Sequence, residues 1–446
     1  MNALIRDKRL PVWLLAAATV LSIPLLLHFQ RESGIWQDEW TFLLWRDGWS
    51  LNDIFGDFNG HLLPLTPIVF NIDRELFYPG ATGLLTACSL TAQVAVVWGA
   101  FAYARKRVGE WIAAGGALLL LFYGSGYELI VWNFNFGWMT AIAAGIWAIV
   151  FFESSDTTKN QIIASVLLVI ALFGDNNALV FVAAILAYAL FKETRRRAIN
   201  VVATPLVLFG IWWLIEGTSQ AFHPKTLPDW VASMIESTFA GLTGDIGGVN
   251  SWGTPLAVLV VGVMIYLFAK ERTIRPSLAS ALSMPIVYVA VVTIGRGGVA
   301  DPSASRYRYT LILLVGLALA EQLRGKRLST PGARISFVLV LGFMLVSNLA
   351  TMADGAASIR GGFAYNRVYA TALVRAGEKV ATNTDFLSID PGLGLNTRAA
   401  NADAYRFLTE GGGEKWAWTP EQLAAQPPAV QLQVQEMVQK MKSQSP

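Results

Sequence analysis

Charge is scarce in this 446-residue chain: 15% of residues are Asp, Glu, Lys or Arg, against 54% hydrophobic, and the mean hydropathy is +0.47. So much apolar side chain cannot be hidden inside one water-soluble core, so the surplus is expected to face lipid. Cysteine is almost missing. Cys88 stands alone, which excludes an internal disulfide and a thiolate metal site. The histidines are His28, His61 and His223, and no grouping of His, Asp and Glu has metal-ligand spacing. A strong excess of positive charge is missing too: a net charge of +3 gives no reason to expect a nucleic-acid partner.

What the chain has in abundance is long apolar runs. A helix needs roughly 20 apolar residues to cross the hydrocarbon core, and about eleven runs approach that length, some of them short. They are Pro11 to His28, Ala81 to Ala104, Trp111 to Tyr123, Gly137 to Phe152, Gln161 to Phe173, Ala178 to Phe191, Ala198 to Ile215, Thr254 to Ala269, Ser277 to Ile294, Tyr309 to Ala320 and Ile335 to Met352. A re-entrant or half-length segment fits among the third to sixth. The first run has no small-x-small cleavage site after it and reads as a retained anchor. The expected class is therefore an all-α polytopic membrane protein, with residues 1–352 as the transmembrane domain and 353–446 as a small appendage outside the membrane.

Lys and Arg sit in short blocks between the runs. Arg6, Lys8 and Arg9 precede the first, Arg105 to Arg107 follow the second, and Lys192 with Arg195 to Arg197 follow the sixth. Lys270, Arg272 and Arg275 follow the eighth, and Arg324, Lys326, Arg327 and Arg334 lie between the tenth and eleventh. Basic residues resist translocation, so all these blocks are expected in the cytoplasm, with the N-terminus inside and the C-terminal tail outside. The expected location is the inner, cytoplasmic membrane of a bacterial-type cell.

The tail replaces apolar runs with Gly and polar residues. Thr419, Pro420 and Gln422 read as a helix start, and Val434, Met437, Val438 and Met441 recur at helical spacing, which predicts an amphipathic packing helix. Gly411, Gly412 and Gly413 mark a turn.

No Asp, Glu, Lys or Arg falls within the runs as drawn, which argues against an ion-coupled pump. Ionisable groups gather at the outer ends instead. The first outer loop carries Asp38 and Glu39 between Trp36 and Trp40, then an apolar-aromatic stretch suited to an interfacial helix, then Asn59-Gly60-His61-Leu62-Leu63-Pro64-Leu65. Glu128 with Trp132, and Asp175 with Asn176, fall in later outer turns. Carboxylates, amides and Trp faces bind sugar hydroxyls and ring faces, although Asp and Asn also favour tight turns for backbone reasons. Finally Arg296-Gly297-Gly298 and Ser305-Arg306-Tyr307-Arg308-Tyr309 lie outside, against the charge trend. Guanidinium groups make forked bonds to phosphate, so Arg296, Arg306 and Arg308 with Tyr307 form a candidate lipid-phosphate clamp; headgroup anchoring is the plainer alternative.

The acidic pair Asp38-Glu39 in the first outer loop, together with His61, Pro64 and Leu65 before the second run, resembles the GT-C superfamily of membrane glycosyltransferases, in particular the protein mannosyltransferase and aminoarabinose transferase branch. Here the second element is stretched by two leucines. The resemblance implies a GT-C-like bundle of about eleven helices, interfacial helices in the first outer loop, a polyprenyl-phosphate sugar donor, and inversion without a covalent intermediate. It implies Asp38 as general base, Glu39 as its positioning or acceptor-binding partner, Arg306 on the departing phosphate with Arg296 or Arg308 assisting, and no cofactor, although some relatives with paired acids hold a metal. The acceptor would be a glycan, lipid or protein hydroxyl. The main rival is a lipid-linked sugar or polysaccharide transporter; a ligase or scaffold for polyprenyl carriers is the third reading.

Overall fold

Hydrocarbon offers no partner for a backbone N–H or C=O, so apolar runs of this length must close their hydrogen bonds internally, and the chain does so as helix. The structure is a computed structural model that describes residues 9–444 except 32–33, 37, 47, 78–82, 191–194, 218–226, 245–251, 272–273, 298–299, 327, 329, 384–397 and 411–412, and not the side chains of 398–400, 415 and 444. Arg6, Lys8, Lys192, His223, Arg272, Gly298, Arg327, Gly411 and Gly412 therefore lie outside the described residues. Among the described residues there is no strand, and a single bridge joins Phe58 to His61.

The helices are α1 (Leu10–Phe29), α2 (Glu39–Leu44), α3 (Leu51–Phe55), α4 (Leu65–Phe77), α5 (Gly83–Val108), α6 (Glu110–Leu121), α7 (Tyr127–Val131), α8 (Phe136–Ser154), α9 (Thr158–Gly174) and α10 (Leu179–Leu190). They continue as α11 (Arg195–Glu216), α12 (Leu227–Ala240), α13 (Gly253–Lys270), α14 (Pro276–Arg296), α15 (Ser305–Gln322), α16 (Pro331–Ala376), α17 (Glu378–Asn383), α18 (Arg398–Thr409), α19 (Pro420–Ala424) and α20 (Pro428–Gln444). Each expected apolar run falls on one of them. Among the described residues seven helices are long and apolar enough to cross a bilayer, and an eighth crossing results if α6 and the segment Gly124–Val131, bent by 50°, count as one. The remaining runs fall on α9 and α10, which are shorter, and on α15, which carries Arg306, Arg308 and Glu321. The chain is an all-α polytopic membrane protein.

It folds as two compact units, the larger from Met1–Phe29, Phe55–Leu63 and Cys88–Ala356, the smaller from Gln30–Ile54, Pro64–Ala87 and Ala357–Pro446. This differs from the expected division at 352/353. The apolar run ends at Met352, but the Ala-rich, proline-free sequence beyond it keeps helix propensity and α16 continues to Ala376.

In the larger unit, Leu15 of α1 packs with Val97 and Phe101 of α5 and with Ala113, Ala114, Ala117 and Leu121 of α6. The buried Gln93 amide is satisfied inside the bundle: the Tyr309 hydroxyl donates to its Oε1 at 3.1 Å, and its Nε2 donates to the Leu120 carbonyl at 3.0 Å. The helices also run further than the apolar stretches and bring charge to one of their ends. Glu321, at the end of α15 and fully buried, meets Arg107 of α5 and accepts from Arg324 at 2.6 Å and from the Ser277 hydroxyl of α14 at 2.8 Å. Arg107 also reaches Glu153 at the end of α8, and its guanidinium lies 3.4 Å from the Tyr103 ring centroid. An ion cluster thus ties α5, α8, α14 and α15 together at the Arg-rich end.

The smaller unit is held by Trp36, whose ring packs edge-on to Phe363 and closely over Gly362, and by Trp40, whose Nε1 donates to Asn366 Oδ1 at 2.9 Å. In its tail the Thr419–Gln422 capping box forms as the sequence predicts, and Val434 and Met441 of α20 are buried.

Stripping Glu321 of its charge leaves Arg107 buried with half its partners. Glu321→Ala is expected to cost about 3–5 kcal/mol, read as a large drop in thermal midpoint in nanodiscs, while Arg406→Ala, which breaks an exposed pair with Asp403, moves it by less than about 1 kcal/mol.

Candidate functional site

Asn-Gly is the dipeptide that most readily takes two consecutive left-handed conformations, and Asn59 (φ 53°) and Gly60 (φ 81°) do so here. The result is a two-residue hairpin, closed by His61 N–H to the Phe58 carbonyl at 2.9 Å and Phe58 N–H to the His61 carbonyl at 3.3 Å. Beneath it Leu62 is buried against Ala144, Ala171, Leu172 and Ala178, so the turn stands on the packed ends of α8 to α10. Asn176 grips it from the side. Its Oδ1 accepts from Leu62 N–H at 3.0 Å and its Nδ2 donates to the Gly60 carbonyl at 2.7 Å.

Asp175, one residue earlier, sits in the tight turn between α9 and α10. A Cβ on Gly174 would lie 2.4 Å from the Gly137 carbonyl oxygen, so only glycine lets α9 close on α8 here. The turn reading of Asp175 is met by its hydrogen bond to Asn177 N–H. Its Oδ1 accepts from Asn177 N–H at 2.8 Å and so caps the turn, while its Oδ2 lies 3.0 Å from His61 Nδ1, off the line of a well-directed hydrogen bond. Arg296, at the last position of α14, approaches the other ring nitrogen, with Nη2 against His61 Nε2. A guanidinium only donates, so Nε2 must present its lone pair and the ring proton resides on Nδ1, facing Asp175. The three side chains form a line: carboxylate, imidazole, guanidinium. Among the described residues Arg296 makes no carboxylate contact.

His61 and Arg296 border a cavity of about 610 Å³ whose lining comes entirely from the larger unit, with Asp175 behind the imidazole. Asn176, Asn177 and Arg296 supply polar groups, and Trp138, Trp213 and Tyr307 supply ring faces. Tyr307 is buried with its ring 5.9 Å from those of both Trp138 and Trp230. The Trp138 indole N–H is committed to Thr310 Oγ1 at 3.1 Å, whereas Trp213 is 48% exposed.

The other expected site residues lie elsewhere. Glu128 of α7 and Arg306 of α15 meet each other, Nη1 to Oε2 at 2.9 Å, with Glu128 N–H donating to the Ser305 hydroxyl oxygen at 2.8 Å. Arg306 thus already has an anionic partner, while Arg308 is half-buried and, like Arg306, does not line the cavity. Trp132 is buried and stacked on Phe134 at 5.5 Å. Asp38 and Glu39 belong to the smaller unit at the start of α2, where Glu39 is 4% exposed and its Oε2 accepts from Trp36 N–H at 2.7 Å. Among the described residues no three His, Cys, Asp or Glu side chains converge as a metal-ligand set.

Sequence reading missed Trp138 and Trp213 in the cavity, and the pairing of His61 with Arg296. The Asn-Gly dipeptide before His61 was the available signal; no local signal joins positions 61 and 296. No family model matches the chain, and no curated protein or solved structure matches it either.

Asn176→Ala removes both side-chain bonds that hold the hairpin. The expected cost is about 1–3 kcal/mol, with faster backbone amide exchange at residues 60–62 than in wild type; unchanged exchange there would show that Leu62 packing alone holds the turn.

Proposed function

We propose that the chain is a membrane glycosyltransferase that moves a sugar from a polyprenyl phosphate to an acceptor hydroxyl during assembly of a cell-envelope glycan or glycoconjugate. The observation that carries this reading is the cavity that puts the Arg296 guanidinium, His61 with Asp175 behind it, the Asn177 amide and Trp faces together at one end of a bundle of apolar helices. A lipid-linked donor demands that combination. Its phosphate needs a cation, its sugar needs amides and ring faces, and its chain needs a bilayer beside the site.

The reading takes about eleven crossings, with the Arg107, Arg197, Arg275 and Arg324 ends cytoplasmic by the positive-inside trend and the cavity therefore at the outer surface. Arg296 takes the donor phosphate in place of Arg306, whose charge Glu128 offsets. Asp38 and Glu39 are assigned to acceptor binding, with Glu39 held by Trp36 N–H. A transporter needs a polar route between the two faces, and the ion cluster that ties α5, α8, α14 and α15 at their Arg-rich ends favours the enzyme.

The test is binding and turnover of polyprenyl-phosphate sugars by the purified protein in nanodiscs. Arg296→Ala is expected to weaken undecaprenyl-phosphate binding about tenfold or more, and Arg308→Ala by less than about threefold. Movement of a labelled donor between leaflets of proteoliposomes, with no transfer of sugar, would instead establish the transporter. For the acidic pair, Asp38→Asn is expected to raise the acceptor KM with kcat held within about tenfold; loss of kcat alone would make Asp38 the proton acceptor.

A further inference from the structure

His61 is built like a proton acceptor. Asp175 is buried beside Nδ1, its own orientation fixed by Asn177, and the hairpin and Asn176 clamp hold the imidazole at the cavity wall. Such a carboxylate sets the tautomer and steadies the imidazolium that forms when Nε2 takes a proton. Yet Nε2 faces Arg296. A permanent cation on that nitrogen blocks its lone pair and opposes a second positive charge on the ring.

The conflict has a chemical resolution. A guanidinium binds a phosphate oxygen through charge-assisted, forked hydrogen bonds that are about twice as strong as neutral ones, whereas a neutral imidazole nitrogen gives it only one acceptor. We propose that Arg296 is a ligand-operated cover on a general base: an anionic phosphate in the cavity draws the guanidinium off His61 Nε2, and only then can His61 accept a proton. This inference rests on the glycosyltransferase reading and names the reacting group within it. In the step itself the acceptor oxygen bonds to the sugar anomeric carbon and the carbon–oxygen bond to phosphate breaks. The electron pair leaves with the phosphate, now held by Arg296, and the acceptor hydroxyl proton passes to His61 Nε2, giving an imidazolium against Asp175. Coupling the base to donor occupancy would make the donor bind before proton transfer and would protect the site from idle chemistry.

The full-length protein in nanodiscs allows a direct test. Carbethoxylation by diethyl pyrocarbonate requires a free imidazole lone pair, so Arg296→Gln is expected to label His61 about tenfold faster than wild type, with His28 as internal reference, because a covered nitrogen reacts only when the guanidinium leaves. An unchanged rate overturns the cover. Undecaprenyl phosphate is expected to move the His61 Nε2 signal in nitrogen-15 spectra of the wild type and to leave it in place in Arg296→Gln. Binding of that lipid with an unmoved Nε2 overturns this inference alone; absence of binding overturns the donor reading and the trigger together. His61→Gln is expected to lose about a hundredfold or more in kcat while binding the lipid within about threefold of wild type, and retained kcat would remove His61 as the base.

Discussion

A bilayer supplies no water to a charge, so a chain of this composition can keep ionised groups only where helices end or where partners surround them. That constraint organises the larger unit. α8, α14 and α15 each carry one end into the ion cluster around Glu321 and Arg107 and the other into the region of His61, Arg296 and Arg306. Between those ends lie amides and hydroxyls, and Gln93 and Tyr309 partner each other within the bundle.

The two ends differ in how completely their charges are satisfied. At the Glu321 end the carboxylate has guanidinium partners in Arg107 of α5 and in Arg324 just beyond α15, and the Arg306–Glu128 pair at the other end is likewise closed. Arg296 is different: it rests on a neutral ring beside a cavity with polar and aromatic walls. Charge that is fully paired stabilises a fold, and a cation that among the described residues meets an imidazole and no carboxylate retains most of its capacity to bind an anion. This difference is the reason for assigning phosphate recognition to Arg296.

Much of the architecture was legible in the sequence because the signals were local. Apolar runs such as Pro11 to His28 fall on helices, the Thr419–Gln422 cap forms, and Val434 and Met441 face inward. Long-range information was not accessible in the same way. Glu153 and Glu321 lie just beyond their apolar runs, so their ends read as topology markers and their meeting with Arg107 depended on helix packing. His61 and Arg296 are separated by 235 residues, and nothing in either neighbourhood names the other. Glu128 and Arg306 were each expected near a sugar or a phosphate, and they pair because the bend after α6 turns α7 toward the first turn of α15. The acidic pair Asp38-Glu39 was conspicuous between tryptophans, and its burial contrast, with Glu39 enclosed and Asp38 half-buried, emerged only from the fold around α2.

α14 carries Ser277 near one tip and Arg296 at the other, 19 positions apart, a span of about 29 Å at the helical rise. Because Ser277 is bonded to Glu321 and Arg296 abuts His61, the helix works as a gauge rod seated at both tips. A slip of a single residue would shift the guanidinium by about 1.5 Å and turn it about 100° around the axis, enough to unseat it from the imidazole. The spacing of two ordinary side chains along one rod therefore registers the rim of the cavity against the ion cluster at the opposite end of the bundle.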